Sequence, residues 1–255
     1  MVSGSDPHIV CRLIQEDLNA IAAWCQTFRL TVNSEKTKVL WSHSDRNVPD
    51  LTECRLVLNG VTLKVVGEFN YLGVIIDTNL KLVGQCNKVK SSTHLKLYHL
   101  RKLRKIMDKK LSVLLFKQMI LPVFDYCDFV LEGAADGASK GIQTIQNHCL
   151  RSCLRVRDPR TVSRVDIHLL CDCVKLKVRR DRNLLCIMYG VAGDPENVMI
   201  PPRVLRGHDK VKLKVRRSKG AIYDKSPLFR GACLWDKLES VHQKSATKAI
   251  FLSKM

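Results

Sequence analysis

The densest concentration of side chains able to do chemistry lies between Lys88 and Lys110, where nine residues are Lys or Arg and one, Asp108, is acidic. Lys88, Lys96, Arg101, Lys102, Arg104, Lys105, Lys109 and Lys110 lie on or beside a segment whose apolar residues Val89, Leu97, Leu100, Leu103 and Ile106 recur at helical spacing. A basic helix with an apolar stripe can follow a phosphate backbone, each contact displacing a condensed counterion. The same pattern suits an anionic membrane surface or an ordinary solvated face. Lys175, Lys177, Arg179, Arg180 and Arg182 repeat the theme, as does the run 203–219. Within that run Lys210, Lys212, Lys214, Arg216, Arg217 and Lys219 also have the composition of a nuclear-import signal.

Other constellations are weaker. His148 and Cys149 with His168, Cys171 and Cys173 raise the question of zinc, but their spacing departs from the paired Cys and His grammar of structural sites. No Gly-rich phosphate loop occurs, and no Ser-His-Asp or Cys-His set is defensible from the sequence. The reading is no metal site.

The whole chain agrees with the basic segment. Its 255 residues carry 43 Lys and Arg against 24 Asp and Glu, a formal charge of +19. Such an excess repels itself in a compact state and calls for a polyanionic partner, most commonly nucleic acid. The eleven cysteines invite a disulfide reading. Residues 1–7 lack the apolar core of a secretory signal, and no apolar run approaches the roughly 20 residues of a membrane helix. The expectation is therefore an intracellular protein, nuclear or cytoplasmic, not secreted, whose reduced thiols mostly serve as small buried hydrophobes.

The elements that must position these residues are α+β. Asp6 and Pro7 open a helix through about Arg29, with Ile9, Leu13, Leu18, Ile21, Cys25 and Phe28 on its apolar face. Leu30-Thr31-Val32 and the stretch 39–42 read as extended pieces. Residues 56–58 and 61–66 flank Asn59-Gly60, a hairpin signal because both central residues of a type I′ turn need positive φ. One further strand is expected at 69–76. This predicts a small antiparallel sheet plus helix over 1–78 and a mainly helical region over 79–190. Helices are expected at about 82–107, at 108–121 stopping near Pro122, at 124–131 and at 142–154, with a loop at 133–141. One or two more are expected within 165–190. A basic, partly irregular extension follows over 191–255.

Four strings in this order carry a resemblance. The stretch WCQTFRLTVNSEKTKVL, with Trp24, Leu30, Val32, Asn33, Lys36 and Thr37, resembles motif D at the end of the palm in non-LTR, LINE-type retrotransposon reverse transcriptases. About 30 residues on, Phe69-Asn70-Tyr71-Leu72-Gly73 resembles the family's primer grip, motif E. Residues 120–126, ILPVFDY, and the stretch 142–155 resemble two helices that follow, in the thumb and connection. The likeness covers roughly residues 8 to 190 and is to the family rather than to one element.

The resemblance implies a partner and a role. Phe69, Tyr71, Leu72 and Gly73 would hold the primer terminus, and the basic helix would grip RNA or an RNA–DNA duplex. Lys36 would be the motif D lysine, able to protonate departing pyrophosphate; the alternative is a solvated turn lysine. The complete family enzyme holds Mg²⁺ with aspartates, among them an Asp-Asp turn shortly before the helix that opens this chain. No Asp-Asp pair occurs among the 255 residues. The chain is therefore expected to have no cofactor and no catalytic residue of its own, to bind no small molecule without the rest of the palm, and to bind no membrane. It reads as a nucleic-acid-binding fragment, a truncated or domesticated product. The alternatives are an incomplete gene model of an active RNA-directed DNA polymerase and a non-functional retroelement remnant.

Overall fold

The computed structural model describes Gly4 and residues 6–43, 54–103, 105–134, 136–158, 160–193, 202–204, 211–213, 226–238, 243 and 251. The fold is α+β, and the chain divides into two compact units, Met1–Gly84 and Gln85–Met255.

The first unit pairs one helix with short strands. Helix α1, Pro7–Thr27, starts where Asp6 accepts a hydrogen bond from the His8 N–H at 2.9 Å and Pro7 fills the first turn. Its buried face keeps Leu18 and Cys25 of the expected one but not the rest. Ile9, Leu13, Ile21 and Phe28 are exposed, while Cys11, Ile14, Leu18 and Ala22 pack on Leu56, Leu58 and Leu63. Two apolar stripes run along this helix, and periodicity alone does not say which one meets the sheet. Gln15 fixes the choice: its amide donates to the Val57 carbonyl and accepts from the Val57 N–H, both at 2.8 Å. That satisfies both backbone groups of a strand edge.

The strands are brief. β1 (Lys38–Val39) pairs in parallel with β4 (Lys64–Val65), so the small sheet region is not wholly antiparallel as expected. β2 (Val57–Leu58) and β3 (Val61–Thr62) form the expected hairpin, with Asn59 at φ 51° and Gly60 at φ 78°. The single strand expected at 69–76 is instead a second hairpin. β5 (Glu68–Tyr71) and β6 (Val74–Asp77) pair antiparallel, Phe69 opposite Ile76 and Tyr71 opposite Val74. Leu72 at φ 46° and Gly73 at φ 83° make the turn. Leucine is an unusual residue for a left-handed position, which is why the turn is hidden in the sequence.

The second unit is helical. α2, Val83–Leu103, buries Val89, Leu97 and Leu100, but Leu103 and Ile106 are exposed, so the apolar stripe ends earlier than expected. Asp108 caps α3, Lys109–Leu115, accepting from the Leu111 N–H at 2.7 Å. The run does not stop at Pro122. A π turn, Phe116–Ile120, leads into α4, Leu121–Asp125, with the Leu121 N–H reaching back five residues to the Phe116 carbonyl. The wider turn takes the chain into the proline without the clash it would make inside a regular α-helix. The helix expected at 124–131 ends at Asp125, and a 3₁₀ turn follows at Val130–Gly133. The expected loop at 133–141 is largely helix: α5 spans Asp136–Leu154.

α6 (Arg164–Leu170) and α7 (Leu176–Ala192) complete the bundle. Beyond them the sequence pattern is weak, yet the described residues include two strands and a helix. β7 (Pro202–Val204) pairs with β8 (Val211–Leu213), and α8 (Pro227–Lys237) is capped by Ser226. Trp235, Ala232, Leu213 and Phe251 enclose Leu185 and Met188 of α7 in one apolar cluster. Among the described residues, no helix is long and apolar enough to cross a membrane.

The two hairpin turns can be tested against each other. A Cβ at Gly60 meets no heavy atom within 4 Å, so Gly60→Ala should lower stability by about 1 kcal/mol through backbone strain alone. Leu72→Asn should raise it by about 0.5 kcal/mol, because asparagine tolerates the left-handed region. Urea midpoints of the two variants check both signs.

Candidate nucleic-acid interface

The basic residues read from α2 and its exit do not share one environment. Arg101 and Lys105 line one cleft. Lys102 turns to the Tyr98 ring, its Nζ 4.4 Å from the centroid, a cation–π contact. Lys96 is half-buried and donates to the Met119 carbonyl at 2.8 Å, tying α2 to the π turn. Lys88, Lys109 and Lys110 are exposed outside that cleft, the two latter in the first turn of α3. Arg104 lies outside the described residues.

The cleft takes its other wall from α5 and the segment after it. It encloses about 660 Å³, and His148, Arg151, Arg155 and Arg157 face Arg101 and Lys105 across it, with no carboxylate in its lining among the described residues. Among the described residues, no carboxylate pairs with Arg101, Lys105, Arg151 or Arg157. Arg155 donates to the Met107 carbonyl, joining the two walls at one end. The Nε of Arg151 is buried and has no hydrogen-bond partner among the described residues. Arg101 also stands near Cys149, whose thiol burial pushes up to about 12 against the pull of that guanidinium. Several cations held this close without acids repel one another, and an anionic backbone relieves the repulsion. The arginines of this wall are missed by sequence clustering, because 151, 155 and 157 straddle a helix end; the four-residue spacing of 151 and 155 is the one available signal.

A buried polar latch holds α5 in place. From α5, Gln146 donates to the Val174 carbonyl at 3.1 Å and Gln143 accepts from the Leu176 N–H at 3.0 Å. His168 lies between the Cys173 carbonyl, 2.6 Å from Nδ1, and Asn147 Oδ1, 3.0 Å from Nε2. The imidazole of His168 thus closes the turn from α6 to α7. Burial also pushes up the thiols of Cys171, to about 11, and of Cys173. Among the described residues, no three His, Cys, Asp or Glu side chains gather to hold a metal ion.

The later basic clusters divide between interior and surface. Arg179 forms a two-pronged bond to Asp125, at 2.9 and 2.5 Å, and that bond raises its pKa. Arg180 is buried, donates to Ser139 Oγ at 3.1 Å, and has its pKa lowered by burial. Asp128 accepts from Asn183 at 2.7 Å, and burial raises its pKa. These two arginines hold the bundle together, whereas Lys175, Lys177 and Arg182 are exposed. Of the run 203–219, Arg203 and Lys212 sit opposite each other in β7 and β8; Lys210, Lys214, Arg216, Arg217 and Lys219 lie outside the described residues.

In the first unit, Lys36 is exposed on a turn built by Asn33. The Asn33 side chain accepts from the Lys36 N–H at 3.0 Å, and its carbonyl accepts from the Thr37 hydroxyl at 2.9 Å. Phe69 and Tyr71 are two apart on β5 and share a face, Phe69 half-buried and Tyr71 exposed. Leu72 and Gly73 are the turn itself, with Leu72 76% exposed. No family model, curated protein or solved structure matches the chain.

All eleven cysteines are free thiols. Because burial keeps Cys149 and Cys171 protonated, a disulfide reagent at about pH 8 should modify exposed Cys233 first. It should reach Cys149 and Cys171 only after denaturation. Peptide mapping that finds native Cys149 labelled as fast as Cys233 would contradict this burial.

Proposed function

We propose that the chain is a nucleic-acid-binding part of a non-LTR retrotransposon reverse transcriptase, gripping a primer–template duplex of RNA or RNA–DNA inside the cell. The observation that carries the reading is the cleft of Arg101, Lys105, Arg151 and Arg157, which no carboxylate lines among the described residues. One backbone strand of a duplex lies along it, its phosphates replacing the mutual repulsion of the guanidinium groups with charge-assisted hydrogen bonds. The formal charge of +19 supports the same partner over the whole chain. The ordered strings from Trp24 to Arg155 supply the family.

Within this reading the α2 exit and the end of α5 act as one positively charged track. Arginine suits the task because its planar fork meets two phosphate oxygens at once and stays charged. Recognition is by shape and charge, since the lining offers cations and no neutral amide outside the latch. The β5–β6 hairpin, with Tyr71 and Leu72 exposed at its turn, is the primer-side contact that the resemblance implies.

Salt titration of binding to an RNA–DNA hybrid tests the proposal. The triple variant Arg101→Ala, Lys105→Ala, Arg157→Ala should reduce the slope of log K against log salt by about 2.7, at about 0.9 per phosphate contact. Lys96→Ala should leave the slope unchanged, because its ammonium serves the Met119 carbonyl. An unchanged slope in the triple variant rejects the cleft as the binding surface.

A further inference from the structure

We infer that the latch holds His168 as a doubly protonated cation and therefore loosens as pH rises. Two backbone groups fix the polarity of the side-chain bonds within it. The Leu176 N–H donates at 3.0 Å, so Gln143 meets it with its oxygen and turns its amide nitrogen to Gln146 and Asn147. The Val174 carbonyl accepts at 3.1 Å, so Gln146 turns its nitrogen there and its oxygen to Gln143, 2.6 Å away. Asn147 must then present its oxygen to Gln143, and the same Oδ1 lies 3.0 Å from Nε2 of His168. The other ring nitrogen lies 2.6 Å from the Cys173 carbonyl. Both partners of the ring are acceptors, and a neutral imidazole carries a single N–H. Only the imidazolium donates to both.

The ring is buried, and two charge-assisted hydrogen bonds offset its lost hydration. Among the described residues no carboxylate bonds to it. On α6, Arg164 and Asp166 are exposed. In the turn, Asp172 pairs with Lys117 of the π turn at 3.0 Å, and burial keeps the thiols of Cys171 and Cys173 protonated. Lys175 at the head of α7 is exposed. On α5, Asn147 joins His148 and Arg151 in a second, smaller cleft of about 410 Å³, which Arg160 and Arg164 complete. The folded chain thus binds a proton that the unfolded chain releases at lower pH, so stability falls as pH rises. Loss of that proton leaves a ring lone pair facing an oxygen, at Cys173 or at Asn147. Either break loosens the seam that positions His148 and Arg151, the residues shared by the two clefts. This regulatory consequence rests on the nucleic-acid reading above.

Ring-nitrogen NMR of the full chain with isotope-labelled histidine reads the protons directly. At about pH 7.5, where a free imidazole is mostly neutral, His168 should show an N–H on both ring nitrogens. A single N–H overturns the proposal. The regulatory half is read from affinity for an RNA–DNA hybrid in a His148→Ala background, which removes the exposed imidazole of the cleft. Affinity should fall about fivefold between about pH 6 and about pH 8. Adding His168→Gln, whose amide holds no titrating proton, should abolish that fall. A fall of the same size in the double variant overturns the switch, and so does a pH-independent affinity in the His148→Ala chain. Should His168→Gln fail to fold, the N–H count of the native ring decides. A native chain that binds no hybrid at either pH overturns the duplex reading instead, while the N–H count still judges the cation.

Discussion

Twenty-four acidic residues serve 43 Lys and Arg, and where the acids go decides where positive charge stays unpaired. In the second unit three of them sit at seams between helices. Asp125 holds Arg179, Asp181 holds Arg230, and Asp128 takes Asn183 beside buried Arg180. A buried charge without a partner costs several kcal/mol, so packing α7 against α4 and α8 requires these carboxylates. Among the described residues, none of them lines the cleft of Arg101, Lys105, Arg151 and Arg157. Its self-repulsion opposes folding until salt screens it or a polyanion occupies it, and a ligand bound only by the folded chain would add to stability.

The latch makes that surface a fixed feature. Gln143, Gln146 and Asn147 spend the polar face of α5 on the connection from α6 to α7, the two glutamines pairing its backbone groups and Asn147 meeting the His168 ring. With this face and the apolar face of Ile142, Ile145, Cys149 and Cys153 both turned inward, the orientation of α5 is set. His148 and Arg151 then stand at the junction of the two clefts as a consequence of helix geometry. Disturbing the latch would move the cations without touching one of them.

Some of this was legible in the sequence. Asp6-Pro7 and Asn59-Gly60 announce a helix start and a turn through chemistry confined to two residues. Other elements depend on context that a local pattern does not carry. Leu72-Gly73 turns the chain at a residue with no turn preference, Pro122 passes through a helix because a π turn precedes it, and α1 has two apolar stripes of which the less bulky is buried. The basic residues show the same limit. Arg101 and Lys105 stand out as part of a dense run, but so do Arg179 and Arg180, which fold inward. Arg151, Arg155, Arg157, Arg160 and Arg164 join a surface only because α5 ends between them. A charge run states how much charge there is, and the fold decides which side of it meets water.

The account stands on one claim, that nucleic acid seats on the track from the α2 exit across the end of α5. Hydrogen exchange of the full chain with and without a saturating RNA–DNA hybrid examines it directly. The account predicts slowed exchange at residues 101–107 and 148–164. Exchange that slows elsewhere while both segments keep their free rates would contradict it.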